Sequence, residues 1–113
     1  MNIEQLRAQH CMPLKGKQHQ VSGARAHELV GQLPGWKLGL ADAHIQKQFR
    51  FADFVHALAF ANALGWIAEC ENHHPDLELG WGHCLVRFST HDVGGLSMND
   101  FICAAKVEVL SAN

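Results

Sequence analysis

The stretch from position 51 to 72 limits the fold of this chain more than any other segment, because it is regular, free of proline and apolar on nearly every side. Wound at a helical period, Phe54, Leu58, Ala61, Gly65 and Ala68 share one stripe. Val55, Ala59, Trp66 and Cys70 fall on a second side, and Phe60, Leu64 and Ile67 on a third. A helix of this kind is buried on more than one face. With 113 residues the chain is one domain and has little else to bury it with. Part of the helix is therefore expected to meet another subunit, giving a homo-oligomer, a dimer or a tetramer. Pro75 disfavours helical geometry at His74, so the helix must end there.

Shorter elements flank it. Residues 24–33 support a first helix, with Leu29, Val30 and Leu33 inward and Pro34-Gly35 as its stop. Residues 36–40 and 44–51 alternate as two strands about the turn Ala41-Asp42-Ala43, with Ile45, Phe49 and Phe51 as core candidates. After the proline, residues 77–81 and 84–89 alternate again. A last helix over 97–110 carries Phe101, Ile102, Ala105 and Val109 inward and opens with the capping-box pattern Ser97-Met-Asn-Asp100. The order α-β-β-α-β-β-α predicts an α+β domain, a four-stranded antiparallel sheet with helices packed on one face. Residues 1–21, polar and broken by Pro13 and Gly16, read as a loosely ordered arm before a single domain at 22–113.

Charge and composition exclude several functions. A net charge of −2 offers no basic field for a phosphate backbone, so nucleic acid is not an expected partner. No apolar run approaches the roughly 20 residues that span a bilayer, and the first residues lack the pattern of a secretory signal. A cytoplasmic protein without membrane contact is expected. The four cysteines, at 11, 70, 84 and 103, form no C-x-x-C pair and read as reduced, mostly buried thiols.

Chemistry concentrates between Glu69 and Asp100. His73 and His74 leave the long helix on a non-helical segment, and His91 follows a strand and precedes Gly94-Gly95. Imidazoles exchange protons near neutral pH, so these three are the candidate acid–base groups. Each has an ordinary alternative: histidines at a helix end suit its dipole, and one at a strand end is a turn residue. Asp100 suits the first turn of a helix whatever its function, and Glu69, Trp81, Ser89 and Thr90 are unremarkable singly. Three histidines, or Cys70 and His73 with Cys84 and His91, would serve a zinc hydrolase. However, Cys70 lies in the helical pattern, Cys84 lies on an apolar strand face, and adjacent histidines are an unusual ligand spacing. A site without metal or cofactor is the expectation.

Joint spacing goes further. Glu69, three residues, His73-His74-Pro75, Trp81, His91 and Asp100 stand at intervals that resemble the signature of the pterin-4a-carbinolamine dehydratases. Ser89-Thr90-His91-Asp92-Val-Gly-Gly95-Leu96-Ser97 is similar to that family's strand-to-helix run, and Leu33-Pro-Gly-Trp36 to its first half. The resemblance covers about 22–110. It implies dehydration of 4a-hydroxytetrahydropterin to quinonoid dihydropterin, the pterin being substrate and not cofactor. It also implies a functional link to phenylalanine hydroxylase, whose cofactor this recycles. His73 and His91 would be the proton-transfer pair, with His74 orienting the substrate. Glu69, Asn72, Pro75, Trp81, Ser89, Thr90, Asp92 and Asp100 would bind or position the pterin. Two positions depart from the pattern: Asn72 stands where many members carry an acid, and Leu77 where an aromatic is common. Some members also act as dimerisation cofactors through the oligomer-forming helix, which makes a non-enzymatic adaptor the alternative.

Overall fold

A capping aspartate, not the apolar run itself, sets where the long helix begins. In the computed structural model, which describes residues 1–111, the Asp53 carboxylate accepts the His56 N–H at 2.9 Å. The helix, α3, therefore runs Phe54–Glu71, and Phe51 stays outside it. Its far end closes on Asn72, which takes the left-handed conformation (φ 51°, ψ 42°) that asparagine tolerates better than most residues. The His73 N–H then reaches back to the Ala68 carbonyl at 3.1 Å. The final hydrogen bond of α3 thus fixes the backbone of His73.

Before α3 come α1 (Ile3–Arg7), α2 (Gly23–Val30), β1 (Lys37–Leu38) and β2 (Ile45–Arg50); after it come β3 (Asp76–Gly80), β4 (His83–Phe88) and α4 (Met98–Val107). The four strands form one antiparallel sheet in the order β1-β2-β4-β3. Register puts Ile45 opposite Phe88 and Phe49 opposite Cys84, all on the face beneath the helices. There they meet Phe60 and Leu64 of α3, Phe101 of α4 and Leu29 and Leu33. Phe49 and Phe60 pack with ring centroids 4.5 Å apart, and Trp36 stands edge-on to Phe49 at 6.1 Å. The opposite face is polar: the Arg87 Nε donates to Gln46 at 3.0 Å, and its guanidinium meets Glu78 at 3.0 Å. The α+β sheet with helices on one face is as the alternation predicts. No helix of the described residues is long and apolar enough to cross a membrane.

Three expectations differ in detail. β1 is cut to two residues because Ala41 and Asp42 take positive φ (56° and 55°) and turn the chain before a longer strand can form. Val109 points outward, since α4 passes into a tighter 3-10 turn at Glu108 and rotates it off the core. Of the four thiols only Cys84 and Cys103 are fully buried; Cys70 is exposed and Cys11 partly so.

The largest correction concerns residues 1–21, which are not a loose arm. Asn2 and Gln5 form a reciprocal capping box that starts α1, and Leu6 is fully buried against the core. Arg7 Nε donates to the Ala105 carbonyl, and Lys106 Nζ donates to that of Arg7. Glu71, at the end of α3, accepts the Cys11 N–H at 2.7 Å and meets His10 at 2.9 Å. Burial acts to raise its carboxyl, but the Cys11 N–H, His10 and Lys106 outweigh burial and hold it below the usual range. A depressed native value stabilises the fold above the unfolded value near 4.5 and is lost as pH falls through the native one. Glu71→Gln is accordingly expected to lower the melting temperature at pH 7 and to flatten its decline below about pH 4.5. Parallel melting curves for the two proteins down to pH 2 would contradict this.

Candidate active site

His73 stands where α3 ends and β3 has not begun. Its side chain is 12% exposed, and the ring lies nearly parallel to that of Phe88, with 12° between planes and centroids 6.0 Å apart. Its Nε2 is 2.6 Å from Oδ1 of Asp100, a carboxylate that is 0% exposed. A buried carboxylate needs hydrogen bonds to offset lost hydration, and Asp100 has them. Its Oδ2 accepts the Thr90 hydroxyl at 2.8 Å and the Ser97 N–H at 2.9 Å. The Ser97 and Thr90 hydroxyls are 2.7 Å apart; with the Thr90 proton directed to Asp100, Ser97 donates to Thr90.

These directions fix a tautomer. An ionised carboxylate only accepts, so His73 donates its Nε2–H to Asp100, and Nδ1 is left as the ring's acceptor. The N-terminal capping box of α4 is thereby also the holder of His73. Asp100 caps the helix with one oxygen and orients the imidazole with the other.

His91 lies at the tip of a tight loop. Thr90 and Gly95 bridge its base (2.7 Å and 3.4 Å), and Gly94 supplies the positive φ of 77° that the turn requires. Gln20 braces this loop by donating to the Val93 and Gly94 carbonyls. His91 is exposed and lines a shallow cavity of about 260 Å³ together with Ala43, Ser89, Thr90, Gly94 and Gly95. Thr90 thus joins the two parts of the site: its hydroxyl holds Asp100, and its backbone carries His91.

Other candidates sit further out. His74 meets Glu69 at 3.0 Å, but both are exposed, and such a pair contributes little. Asn72 and Asp92 are exposed and Pro75 is half-buried. Trp81 is not among the gathered residues: it forms the tip of the β3–β4 turn, 71% exposed. Asp76 pairs with Arg87 and Gly80 with His83, so the strand rises roughly 13 Å from Asp76 to Gly80 and carries Trp81 beyond that, away from the His73 end. Two residues join the site unforeseen. Phe88 read only as a core strand residue, and nothing in its spacing marks the ring under His73. Ser97 read only as a helix cap, although the capping pattern itself tied it to Asp100. No group of three or more His, Cys, Asp or Glu among the described residues has a geometry that would hold a metal.

The arrangement is thus a buried carboxylate holding one imidazole, with a second imidazole exposed on an adjoining loop of the α+β sheet. The chain belongs to the family described as pterin 4 alpha carbinolamine dehydratase, whose model matches residues 19–110. Among similar proteins, one of Xanthomonas oryzae pv. oryzae (strain MAFF 311018) is 58% identical over 97 residues, 86% of this chain and 82% of its own. One of Xanthomonas campestris pv. campestris (strain 8004) is 57% identical over 101 residues, 89% of this chain and 86% of its own. Both carry the name "Putative pterin-4-alpha-carbinolamine dehydratase". A crystal structure of a transcriptional coactivator/pterin dehydratase from Brucella Melitensis superposes with a TM-score of 0.78 at 25% identity, covering 82% of this chain and 99% of that one. A pterin dehydratase-like protein, identified as a RuBisCO assembly factor in the alpha-carboxysome, shares the fold at 21% identity, with a TM-score of 0.60 over 70% of this chain and 92% of that one. The family supports a dehydratase function for the chain.

Proposed function

We propose that this chain dehydrates 4a-hydroxytetrahydropterin to quinonoid dihydropterin in the cytoplasm, by histidine acid–base catalysis, and so recycles the pterin used by an aromatic amino acid hydroxylase. The observation that carries the reading is the His73–Asp100 pair. With Nε2–H committed to Asp100, His73 acts as base through Nδ1 and takes the ring-nitrogen proton. His91, solvent-facing on its loop, is the acid that protonates the departing hydroxyl, which leaves as water. Ser89 and the loop backbone about Gly94 and Gly95 hold the pterin edge, and His74 orients it.

The test follows breakdown of 4a-hydroxypterin in a coupled assay with a phenylalanine hydroxylase. Wild type should accelerate it, and His91→Ala should lower kcat by about 10²-fold with an unchanged melting curve. A wild-type rate equal to the spontaneous one would end the proposal.

A second reading, an adaptor that acts through α3, rests on the apolar surface this helix leaves uncovered. Val55 is 68% and Trp66 71% exposed, beside the partly exposed Phe54 and Leu58. In either reading this face serves a homo-oligomer. Trp66→Glu is expected to shift the protein to monomer on gel filtration. A wild-type chain that elutes as a monomer would remove the oligomer from both.

A further inference from the structure

Away from the His73–Asp100 network, the fold brings two thiols together. Cys11 Sγ lies 3.4 Å from Cys103 Sγ, joining the segment after α1 to the middle of α4. Cys103 is fully buried, whereas Cys11 is partly open to solvent. The family model begins at residue 19, so Cys11 lies outside the match.

Specific hydrogen bonds hold the pair in place. The Asn99 side chain accepts the Met12 N–H at 3.1 Å and donates to the Met12 carbonyl at 2.7 Å, in the manner of a β-bridge. Glu71 accepts the N–H of Cys11 itself at 2.7 Å. On the other side, Arg7 and Lys106 tie the end of α1 to the end of α4. Clamps before and after Cys11 keep its sulfur against Cys103, which raises the effective concentration of one thiol at the other.

We propose that Cys11 and Cys103 form an oxidation site, a dithiol that hydrogen peroxide converts reversibly into an intramolecular disulfide, latching the N-terminal segment onto α4. The accessible Cys11 sulfur attacks one peroxide oxygen. The O–O bond breaks, leaving Cys11 as a sulfenic acid and releasing hydroxide, which takes the thiol proton to become water. The Cys103 sulfur then attacks the Cys11 sulfur. The S–S bond forms, the S–O bond breaks, and the hydroxyl leaves with the Cys103 proton as a second water. Two thiols thus give two electrons to one peroxide. The order follows from the surroundings: its contact with Cys11 and its burial push the Cys103 thiol up, so it resolves and does not initiate.

The experiment uses the full chain carrying Cys70→Ser, which removes the exposed thiol able to link two molecules. After hydrogen peroxide, alkylation of the denatured protein should count two thiols lost. Peptide mapping should find Cys11 joined to Cys103, and dithiothreitol should restore both. The link spans 92 positions and restricts the unfolded chain, so the oxidised protein should melt higher by roughly 10 °C. Adding Cys11→Ser should leave Cys103 reduced, and adding Cys103→Ser should let Cys11 proceed to sulfinic acid. The proposal is overturned if Cys11 reaches sulfinic acid while Cys103 stays free in the chain that holds both. It is equally overturned if a link forms without a rise in melting temperature. Neither readout depends on pterin turnover, so the outcome stands apart from that of the dehydratase assay.

Discussion

Asp100→Asn is expected to lower kcat for 4a-hydroxypterin dehydration by about 10²-fold, and His73→Ala by about 10³-fold. The double variant should be little worse than His73→Ala alone, because the two residues act as one unit. Asp100 touches His73 through one oxygen, and Thr90 and the Ser97 backbone occupy the other. Its contribution is the tautomer and the aim of the imidazole. An amide at this position has one accepting oxygen where the carboxylate has two, so its NH₂ must face a donor, either Thr90 and Ser97 or the ring nitrogen. The substitution should therefore also cost about 1–3 kcal/mol of stability through an unmatched buried group. Activity must be compared at a temperature where circular dichroism shows both proteins folded. Independent, multiplying effects of the two substitutions would show that Asp100 does not act through His73.

Phe88→Ala is expected to be the most destabilising single change near the site, by about 3–5 kcal/mol, or roughly 15–20 °C in melting temperature. The ring is fully buried at the end of β4, 6.0 Å from Trp36 on one side and 6.0 Å from His73 on the other. Truncation leaves a cavity that neither neighbour can fill without moving. Phe88→Leu separates the two roles. It keeps most of the volume, so the cost should fall to about 1–1.5 kcal/mol, while the flat surface under His73 is lost. A several-fold drop in kcat with nearly unchanged KM is the expected signature. If Phe88→Leu turns over like wild type, the ring supports only the core.

Much of this was legible in the residues, for physical reasons that differ from element to element. Long-range alternation and helical period found the sheet and α3, because burial imposes those periods on any sequence. Pro75 located the end of α3, though the closure on Asn72 needed the backbone itself. The intervals placed His73 and Asp100 in one site, the histidine with His91 as a proton-transfer group and the aspartate as a binding or positioning residue, without pairing them. Their contact depends on β4 running antiparallel back past the end of α3, which short-range pattern does not encode. The same geometry separates Trp81 from them: its position in the interval is regular, but the hairpin points it away. α1 was missed because five residues are too few to show a period, and its signal lay in the Asn2 and Gln5 caps. Phe88 and Ser97 were visible as packing and capping residues. Their second roles appear only where two elements meet.

The hydrogen bond from the His73 N–H to Ala68 has a thermodynamic consequence of its own. Helix ends open at a small fraction of the free energy of global unfolding. An excursion that frays the last turn of α3 releases the ring from Asp100 while the sheet and the core beneath it remain intact. The contact between His73 and Asp100 is therefore a less cooperative property than the fold. Heating should deplete the competent population in advance of the main transition, with catalytic output limited by the persistence of one helical turn.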